Sequence, residues 1–247
     1  MDYRGYRFNK RETVITFARC IGLLAFLGWL FYQNVWGMLL TQCMLPVLIR
    51  WERQRKCAQR KWKMTLAFKD AMESLSAAML AGYSVENGFI EANQDLGHLY
   101  PEGDEIRQEF AEIVAGFQRR IPVEEGLLSL ARRSRIEEIE TLAQVMMTGR
   151  KTGGNLPEMI TATVRVIEER VEMKREIAQA MAEKRLEARI MGLVPLGMIV
   201  YLKICSPGFL TPLYNNLQGV LWMSAALAFY LVGWILCEHI LQIEVAV

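Results

Sequence analysis

Charged residues are nearly absent from two long stretches of this chain. The only charged residues in these two stretches, Val14–Ile49 and Ile190–Cys237, are Arg19 and Lys203. Residues 50–189, by contrast, hold 23 of the 29 lysines and arginines and 23 of the 27 aspartates and glutamates. An apolar stretch of about 20 residues is long enough to cross a bilayer as a helix. The pattern therefore predicts a charged domain held between two membrane segments.

The sequence is also poor in the residues that build catalytic and metal sites. Its five cysteines are scattered, odd in number and without a Cys-x-x-Cys spacing, which argues against a disulfide framework. His98 and His239 have no partner at ligand spacing, and no Gly-x-Ser-x-Gly turn is present. We therefore expect no metal, no cofactor and no enzymatic activity. The net charge of +2 also gives no overall field that would attract nucleic acid.

Two further segments have a chemical interpretation and a structural one. Gly149-Arg150-Lys151-Thr152-Gly153 resembles part of a phosphate-binding loop, but the chain has no Gly-Lys pair and the segment ends a predicted helix, which favours a turn. The acidic clusters at 137–140 and 168–169 could serve as acid/base pairs, but charge runs of this kind are more typical of solvated helix faces.

The basic residues predict the membrane topology. Lysines and arginines crowd both sides of the first apolar stretch, and the positive-inside rule places both flanks in the cytoplasm. The stretch must then cross twice, as Val14–Tyr32 and Val35–Trp51, because a single long span would leave one basic cluster outside. Ile190–Cys205 and Leu221–Cys237 form a second pair around a charge-free loop rich in turn residues. Lys203 is either a functional intramembrane charge or a side chain that reaches the interface; its place near the span end favours the second interpretation.

Apolar residues of the middle region recur every three or four positions, which is typical of helices. Glycines and capping residues divide the region into six helices. The predicted turn residues are Gly82, Ser84, Gly153, Gly154 and Asn155, and Pro122 and Pro157 are expected in first turns. The last helix carries a stripe of Ile160, Val164, Ile167, Val171, Ala178 and Met181. A glycine turn followed by a polar cap occurs at 82–86 and again at 149–158, a hint of repetition.

The predicted fold is therefore an all-α membrane protein with four transmembrane helices, arranged as two hairpins around a cytoplasmic six-helix bundle. The predicted parts are a cytoplasmic segment 1–13, a hairpin 14–51, a cytoplasmic helical domain 52–189, a second hairpin 190–237 and a cytoplasmic tail 238–247. The first basic run, 50–63, adjoins the membrane, so attraction to an anionic lipid bilayer explains it. A second basic set either contacts an acidic partner or is simply solvated. The candidate partner-binding residues are Arg119, Arg120, Arg132, Arg133, Arg135, Arg150 and Lys151.

Over about 66–200 the sequence resembles the F-domain proteins of type II secretion systems. The resemblance rests on the order of several segments. They are 68–75 (FKDAMESL), 80–84 (LAGYS), Gly116, 122–127 (PVEEGL), Gly149, 152–156 (TGGNL), 167–170 (IEER) and 185–195. A single copy flanked by membrane hairpins is similar to the tight adherence (Tad) pilus branch, whose members are TadB-like or TadC-like. The two-copy platforms of type II secretion fit less well.

This resemblance implies an inner-membrane platform protein with both termini cytoplasmic and no catalytic residue. The implied partners are a cytoplasmic hexameric secretion ATPase, prepilin or pilin subunits, and a second F-domain protein or another copy of the chain. The alternative is an ion-driven stator subunit of the flagellar-motor type, which also has four spans. A stator would be expected to carry hydroxyl residues in its last two spans, where Ser224 is nearly the only candidate. A membrane enzyme is disfavoured because polar residues are missing from the spans.

Overall fold

The computed structural model describes residues 10–32, 42, 44–206, 208 and 217–243, and these residues form α-helices with no strand. This confirms the all-helical class for the described part of the chain. The helices are α1 Lys10–Tyr32, α2 Leu45–Leu80, α3 Val85–Leu99, α4 Glu105–Gln118, α5 Val123–Ser134, α6 Glu137–Thr152, α7 Leu156–Cys205 and α8 Leu217–Ile243. The chain divides into two compact units: Gln54–Met173, called the charged unit below, and Phe8–Arg53 with Lys174–Val247, called the apolar unit.

Short polar side chains mark where two helices of the charged unit begin. The Ser84 hydroxyl accepts a hydrogen bond of 3.3 Å from the Asn87 N–H, at the start of α3. The Asp104 carboxylate accepts one of 3.1 Å from the Ile106 N–H, at the start of α4. Such caps satisfy N–H groups that have no partner within the helix. The sequence predicts Pro122 in the first turn of α5. In the structure it lies at the capping position just before that helix.

A glycine in the left-handed conformation ends α2. Gly82 has φ of +85°, which an L side chain rarely adopts. Its N–H donates to the Met79 carbonyl at 3.0 Å, and the Tyr83 N–H donates to the Ala78 carbonyl at 3.0 Å. These two bonds form the Schellman motif, which satisfies the last carbonyls of a helix. Gly82 therefore occupies the terminating position that the sequence predicts for it.

Three more helix ends of the charged unit use a left-handed residue. Gly153 follows α6 with φ of +67°, whereas arginines occupy the other two positions, Arg120 at +64° and Arg135 at +54°. The Ile121 N–H donates to the Gly116 carbonyl at 3.0 Å, which closes the α4 end in the same way as that of α2. The helices of this unit are thus joined by short turns of defined geometry.

Three phenylalanines form the centre of the charged unit. Phe110 lies with its ring centroid 6.3 Å from that of Phe68 and 6.1 Å from that of Phe89, and all three side chains are buried. Burying each such side chain contributes roughly 1.5–3 kcal/mol. The surrounding buried residues come from α2 to α7 and include Met72, Leu75, Leu96, Ile106, Leu127, Leu130, Ile139, Leu142, Ile160, Val164, Ile167 and Val171.

The apolar stripe of α7 is shorter than the sequence suggests. Ile160, Val164, Ile167 and Val171 are buried, but Ala178 and Met181 are only half-buried. Residues after Met173 belong to the apolar unit. Apolar residues of α7 therefore recur at helical spacing beyond the end of the charged unit's core. Periodicity shows that a face is apolar but does not show what covers it.

The apolar unit packs α1 against α8 and the last part of α7. Leu30 and Phe31 are buried with Met223 and Leu227. Where α1 ends and α8 begins, the Tyr32 and Ser224 hydroxyls are 2.7 Å apart. The same end of α1 contacts the last turn of α7 through Lys203. Both α1 and α7 therefore run toward this end of the unit, and α8 runs away from it.

The charge of Lys203 is held by α1. Its ammonium group donates to the Trp29 carbonyl at 3.1 Å and lies 3.6 Å from the centroid of the Trp29 ring. A backbone carbonyl and an aromatic face together satisfy a cation that is partly removed from water. This contact ties the last turn of α7 to the end of α1.

Within the described residues, three helices are long and apolar enough to cross a membrane. They are Val14–Tyr32, Leu156–Cys205 and Gln218–Cys237. Much of the predicted second span, Val35–Trp51, lies outside the described residues, as do the tip of the first hairpin and most of the second loop. The two-hairpin arrangement with a six-helix bundle, and the domain boundaries that depend on it, stay predictions.

Candidate functional site

One arginine joins three helices of the charged unit. Arg150, in the last turn of α6, lies 2.6 Å from the Glu124 carboxylate in the first turn of α5 and 3.2 Å from that of Glu86 in the first turn of α3. Glu124 is buried, with 7% of its surface exposed. A guanidinium group with several donors is suited to hold two carboxylates at once. Arg150, a predicted partner-binding residue, thus has an internal role.

This contact brings three turns to one end of the charged unit. The turn 81–84 precedes α3, the turn 119–122 precedes α5, and the turn 153–155 follows α6. Since Arg150 binds the starts of α3 and α5 from the end of α6, the three turns lie around it. We call this region the three-turn surface. It collects the predicted turn residues Gly82, Ser84, Gly153, Gly154 and Asn155.

Small residues fit the turn after α6 to the helix that follows. A β-carbon on Gly149 would lie 3.0 Å from the Leu156 side chain, and one on Gly154 would lie 3.2 Å from the Met159 sulfur. Asn155 immediately precedes α7, and its side-chain amide donates to Glu158 at 3.0 Å. The glycines of this segment therefore serve packing and turn formation.

The three-turn surface exposes apolar side chains beside cations. Leu80 is 77% exposed and Tyr83 50% exposed, and Phe117 and Ile121 are also exposed. Apolar side chains rimmed by charge are typical of protein–protein contact sites. Three of the predicted partner-binding residues lie here with exposed side chains: Arg119, Arg120 and Lys151.

The other predicted arginines lie at the opposite end of α5. Helix α5 has 12 residues and is about 18 Å long, which separates Arg132 and Arg135 from the turn 119–122. Arg133 is engaged internally: its two terminal nitrogens each donate at 2.6 Å to the two carboxylate oxygens of Glu109. Glu109 is only 3% exposed, so this bidentate pair compensates a buried charge. The second basic set is therefore not one surface but two.

Charged side chains of α2 and α7 lie close enough to influence each other's pKa values. Lys69 forms an ion pair with Glu73 at 2.6 Å, and this bond raises the pKa of Lys69. Glu172 of α7 contributes to the same rise in the pKa of Lys69. Burial, followed by the nearby Glu73, raises the pKa of Glu168 above the usual carboxyl value. Helix α2 ends and helix α7 begins at the three-turn surface, so the two helices run in opposite directions.

A tyrosine ties the end of α3 to α2. The Tyr100 hydroxyl donates to the Asp70 carboxylate at 2.5 Å, and burial together with this bond raises the pKa of Tyr100. On the same face, the Ser74 hydroxyl donates to Asp95. Both carboxylates are thus used in helix–helix contacts. Their partners are hydroxyl groups and not the histidine or second carboxyl group that acid/base catalysis usually employs.

The described residues contain no group of three or more histidine, cysteine, aspartate or glutamate side chains that could hold a metal ion. The cysteines among them, at positions 20, 57, 205 and 237, are free thiols. The site geometry is that of an exposed contact surface built on turns.

The comparison with protein families gives the class of this protein. Residues 69–202, just over half of the chain, match the family model "Type II secretion system (T2SS), protein F". The chain belongs to this family, which is a non-enzymatic membrane platform family. No curated protein and no solved structure gave a significant match.

Several residues of the three-turn surface were not identified from the sequence. Leu80 and Tyr83 lie close to Gly82 in the sequence. Tyr83 does not belong to the apolar stripe of α2, and this is the one sequence signal that could have identified Tyr83 as a surface residue. Glu86 and Glu124 resemble ordinary first-turn acids that complement a helix dipole. Their shared contact with Arg150 depends on how the helices pack and has no signature in the sequence.

Proposed function

We propose that this protein is the inner-membrane platform of a Tad-type pilus or type II secretion-like system. In this proposal it couples a cytoplasmic hexameric ATPase to the extraction and assembly of pilin subunits. Family membership supports the platform role. The observation that carries the finer proposal is the convergence of three turns, with their exposed apolar and basic side chains, at one end of the charged unit.

The position of the three-turn surface suits contact with a cytoplasmic partner. Within the charged unit, α2 runs from Gln54 to Leu80, about 40 Å along a helix. The chain enters the unit at Gln54, whereas the three-turn surface lies at Leu80. The antiparallel α7 leaves the surface at Leu156 and exits the unit at Met173. Within the charged unit, both chain connections thus lie at the ends of these helices that are far from the three-turn surface.

The same two helices offer a mechanical route. An α-helix held by tertiary contacts along its length moves as a nearly rigid rod. Helices α2 and α7 both contribute buried side chains to the shared core. A partner that displaces the three-turn surface would therefore move both helices together. Under this proposal the ATPase supplies the energy, prepilin is the cargo in the bilayer, and a second F-domain protein or another copy completes the platform.

Photo-crosslinking in native cells tests this function. A photoreactive amino acid placed at Tyr83 or at Lys151 of the full-length chain should crosslink to a secretion ATPase, which mass spectrometry identifies. The matched control is Arg132, which is exposed at the opposite end of α5. Equal crosslinking of the ATPase from Arg132 would contradict the assignment to the three-turn surface. Crosslinks to a wall-anchored channel subunit would contradict the platform role and support a stator.

The contacts of Ser224 do not support the stator alternative. Ser224, its main candidate hydroxyl, donates to the Val220 carbonyl at 2.8 Å and lies 2.7 Å from the Tyr32 hydroxyl. It is therefore used in helix–helix packing within the apolar unit.

A further inference from the structure

The apolar unit contains a crevice between α7 and α8. Its volume is about 520 Å³, within the range of small-molecule sites. Helix α7 lines it from Lys184 to Pro195, and α8 lines it from Tyr230 to Cys237. The crevice is separate from the three-turn surface, because every lining residue belongs to the apolar unit.

A glycine and two aromatic residues fix the walls of the crevice. The Tyr230 hydroxyl donates to the Gly192 carbonyl at 3.0 Å. A β-carbon on Gly192 would lie 2.5 Å from the Trp234 ring, so only glycine allows this close approach. The two rings are 6.3 Å apart between centroids. Tyrosine and tryptophan of this kind are enriched where membrane-spanning helices meet the headgroup region.

The crevice is basic at one end and apolar at the other. Lys184, Arg185 and Arg189 line the first end together with one acid, Glu187, which lies 3.1 Å from Lys184. The lining therefore carries a net charge of +2. Farther along α7 the lining is apolar, with Met191, Gly192 and Pro195. An amphiphile with an anionic head and a hydrocarbon tail is complementary to this gradient.

Pro195 adds an acceptor to the apolar wall. Proline has no N–H, so the Met191 carbonyl lacks the donor that an α-helix would give it from position 195. Both residues line the crevice. A hydroxyl group of a glycerol-type headgroup or backbone is the kind of donor that such a carbonyl could accept.

We propose that this crevice is a binding site for an anionic glycerophospholipid. The phosphate lies among Lys184, Arg185 and Arg189, and an acyl chain lies against Met191, Pro195 and Trp234. Basic pockets between membrane helices recognise anionic headgroups in this way. This proposal differs from the general attraction of the run 50–63 to an anionic surface, because it assigns one lipid to one site. The exposed apolar residues around the crevice, such as Met191 at 66%, leave it open to lipid from the side.

Native mass spectrometry of the full-length protein in detergent tests the charge requirement. With phosphatidylglycerol and phosphatidylcholine supplied in equal amounts, the protein should retain phosphatidylglycerol on the order of tenfold more strongly. The double variant Arg185→Gln/Arg189→Gln should lose this preference. The matched control Arg53→Gln/Arg55→Gln removes the same charge from the other basic run and should keep it. Equal losses in both double variants would show attraction without a site and overturn the proposal.

A crevice-filling variant tests the apolar wall. Gly233 lines the crevice, and a β-carbon there would meet nothing within 4 Å, so Gly233→Leu should fill the space and reduce lipid retention without unfolding the protein. Gly197→Leu is the control, since a β-carbon there also meets nothing and the residue does not line the crevice. Unchanged retention in Gly233→Leu would overturn the proposal. So would displacement of the lipid by an equal concentration of inorganic phosphate, which would indicate a phosphate site, or a lipid-free dimer, which would indicate a second copy in the crevice.

Discussion

At the residue scale, the charged unit distinguishes arginines that hold the fold from arginines that face solvent. Arg133 and Arg150 bind carboxylates that are nearly buried, Glu109 and Glu124. Arg132, the residue before Arg133, has an exposed side chain. Breaking a buried pair is costly because the remaining charge keeps its desolvation penalty, whereas an exposed cation contributes little.

Arg133→Met should lower the free energy of unfolding by about 3 kcal/mol, because it leaves the Glu109 carboxylate buried without its bidentate partner. Chemical denaturation of the full-length protein in detergent, followed by circular dichroism, measures the change. Arg132→Met is the control and should shift stability by less than about 0.5 kcal/mol. A similar loss in both variants would show that the ion pair is not the cause.

Glu168 makes the stability of the charged unit depend on pH. Burial and Glu73 raise its pKa, so the folded protein holds this proton more tightly than the unfolded chain does. The associated stability is complete at pH values below the unfolded-chain pKa, roughly 4, and is lost as the pH rises through the folded-state pKa. Glu168→Gln cannot ionise. Its free energy of unfolding should therefore exceed that of the wild type at neutral pH, and the difference should shrink as the pH falls toward 4.

Unfolding curves recorded across this pH range check the prediction for Glu168. Glu169→Gln is the control, because that side chain is 65% exposed on the same helix. A difference between Glu168→Gln and wild type that stays constant with pH would contradict a titration effect.

At the element scale, helix ends are set by backbone conformation as much as by side chains. Four helix ends of the charged unit have a residue with positive φ, and two of these residues are arginines. A side chain costs about 1 kcal/mol or more in this region, which glycine avoids. The arginine positions therefore retain strain that the glycine positions do not.

Gly82→Ala should destabilise the protein by about 1 kcal/mol, and Arg120→Gly should stabilise it by up to about 1 kcal/mol. The first effect is conformational, since a β-carbon on Gly82 would meet nothing within 4 Å. Gly103→Ala is the matched control, because its surroundings are also open and its φ is not positive. Thermal unfolding of the three variants separates the effects, and equal losses at Gly82 and Gly103 would exclude strain as the cause.

At the scale of the whole molecule, the chain combines a helical unit that presents turns with a unit of membrane-length helices. The ends of α1 and α7 lie beside the start of α8 within the apolar unit, as the contacts of Lys203 and of Tyr32 with Ser224 require. Within this unit α1 and α7 run in the same direction and α8 runs in the opposite one, as the proposed pair of hairpins requires.

Cysteine substitutions test this topology. A cysteine at Asn34 or at Asn215, in the proposed hairpin tips, should react with a membrane-impermeant maleimide added to intact cells from which the outer membrane barrier has been removed. A cysteine at Arg132 should react only after lysis, because the proposed topology places the charged unit inside. Reaction at Arg132 in intact cells would contradict the double-hairpin arrangement.

The sequence by itself determined the helical class, the apolar stretches and most helix ends. These features depend on local chemistry: periodicity, a cap at Ser84 and a glycine at position 82. The first candidate span, Val14–Tyr32, has the bounds that the sequence predicts.

The tertiary structure alone decided which charged residues share a surface. Arg119 and Arg133 are both arginines at the C-terminal end of a helix. The Arg119 side chain is exposed beside a turn, whereas the Arg133 side chain binds a buried carboxylate. Arg150 reaches Glu86 across 64 positions. Such pairs depend on the way in which helices pack, and helix packing brings together residues whose separation in the sequence carries no signal. The same reason explains why the crevice between α7 and α8 became apparent only in three dimensions.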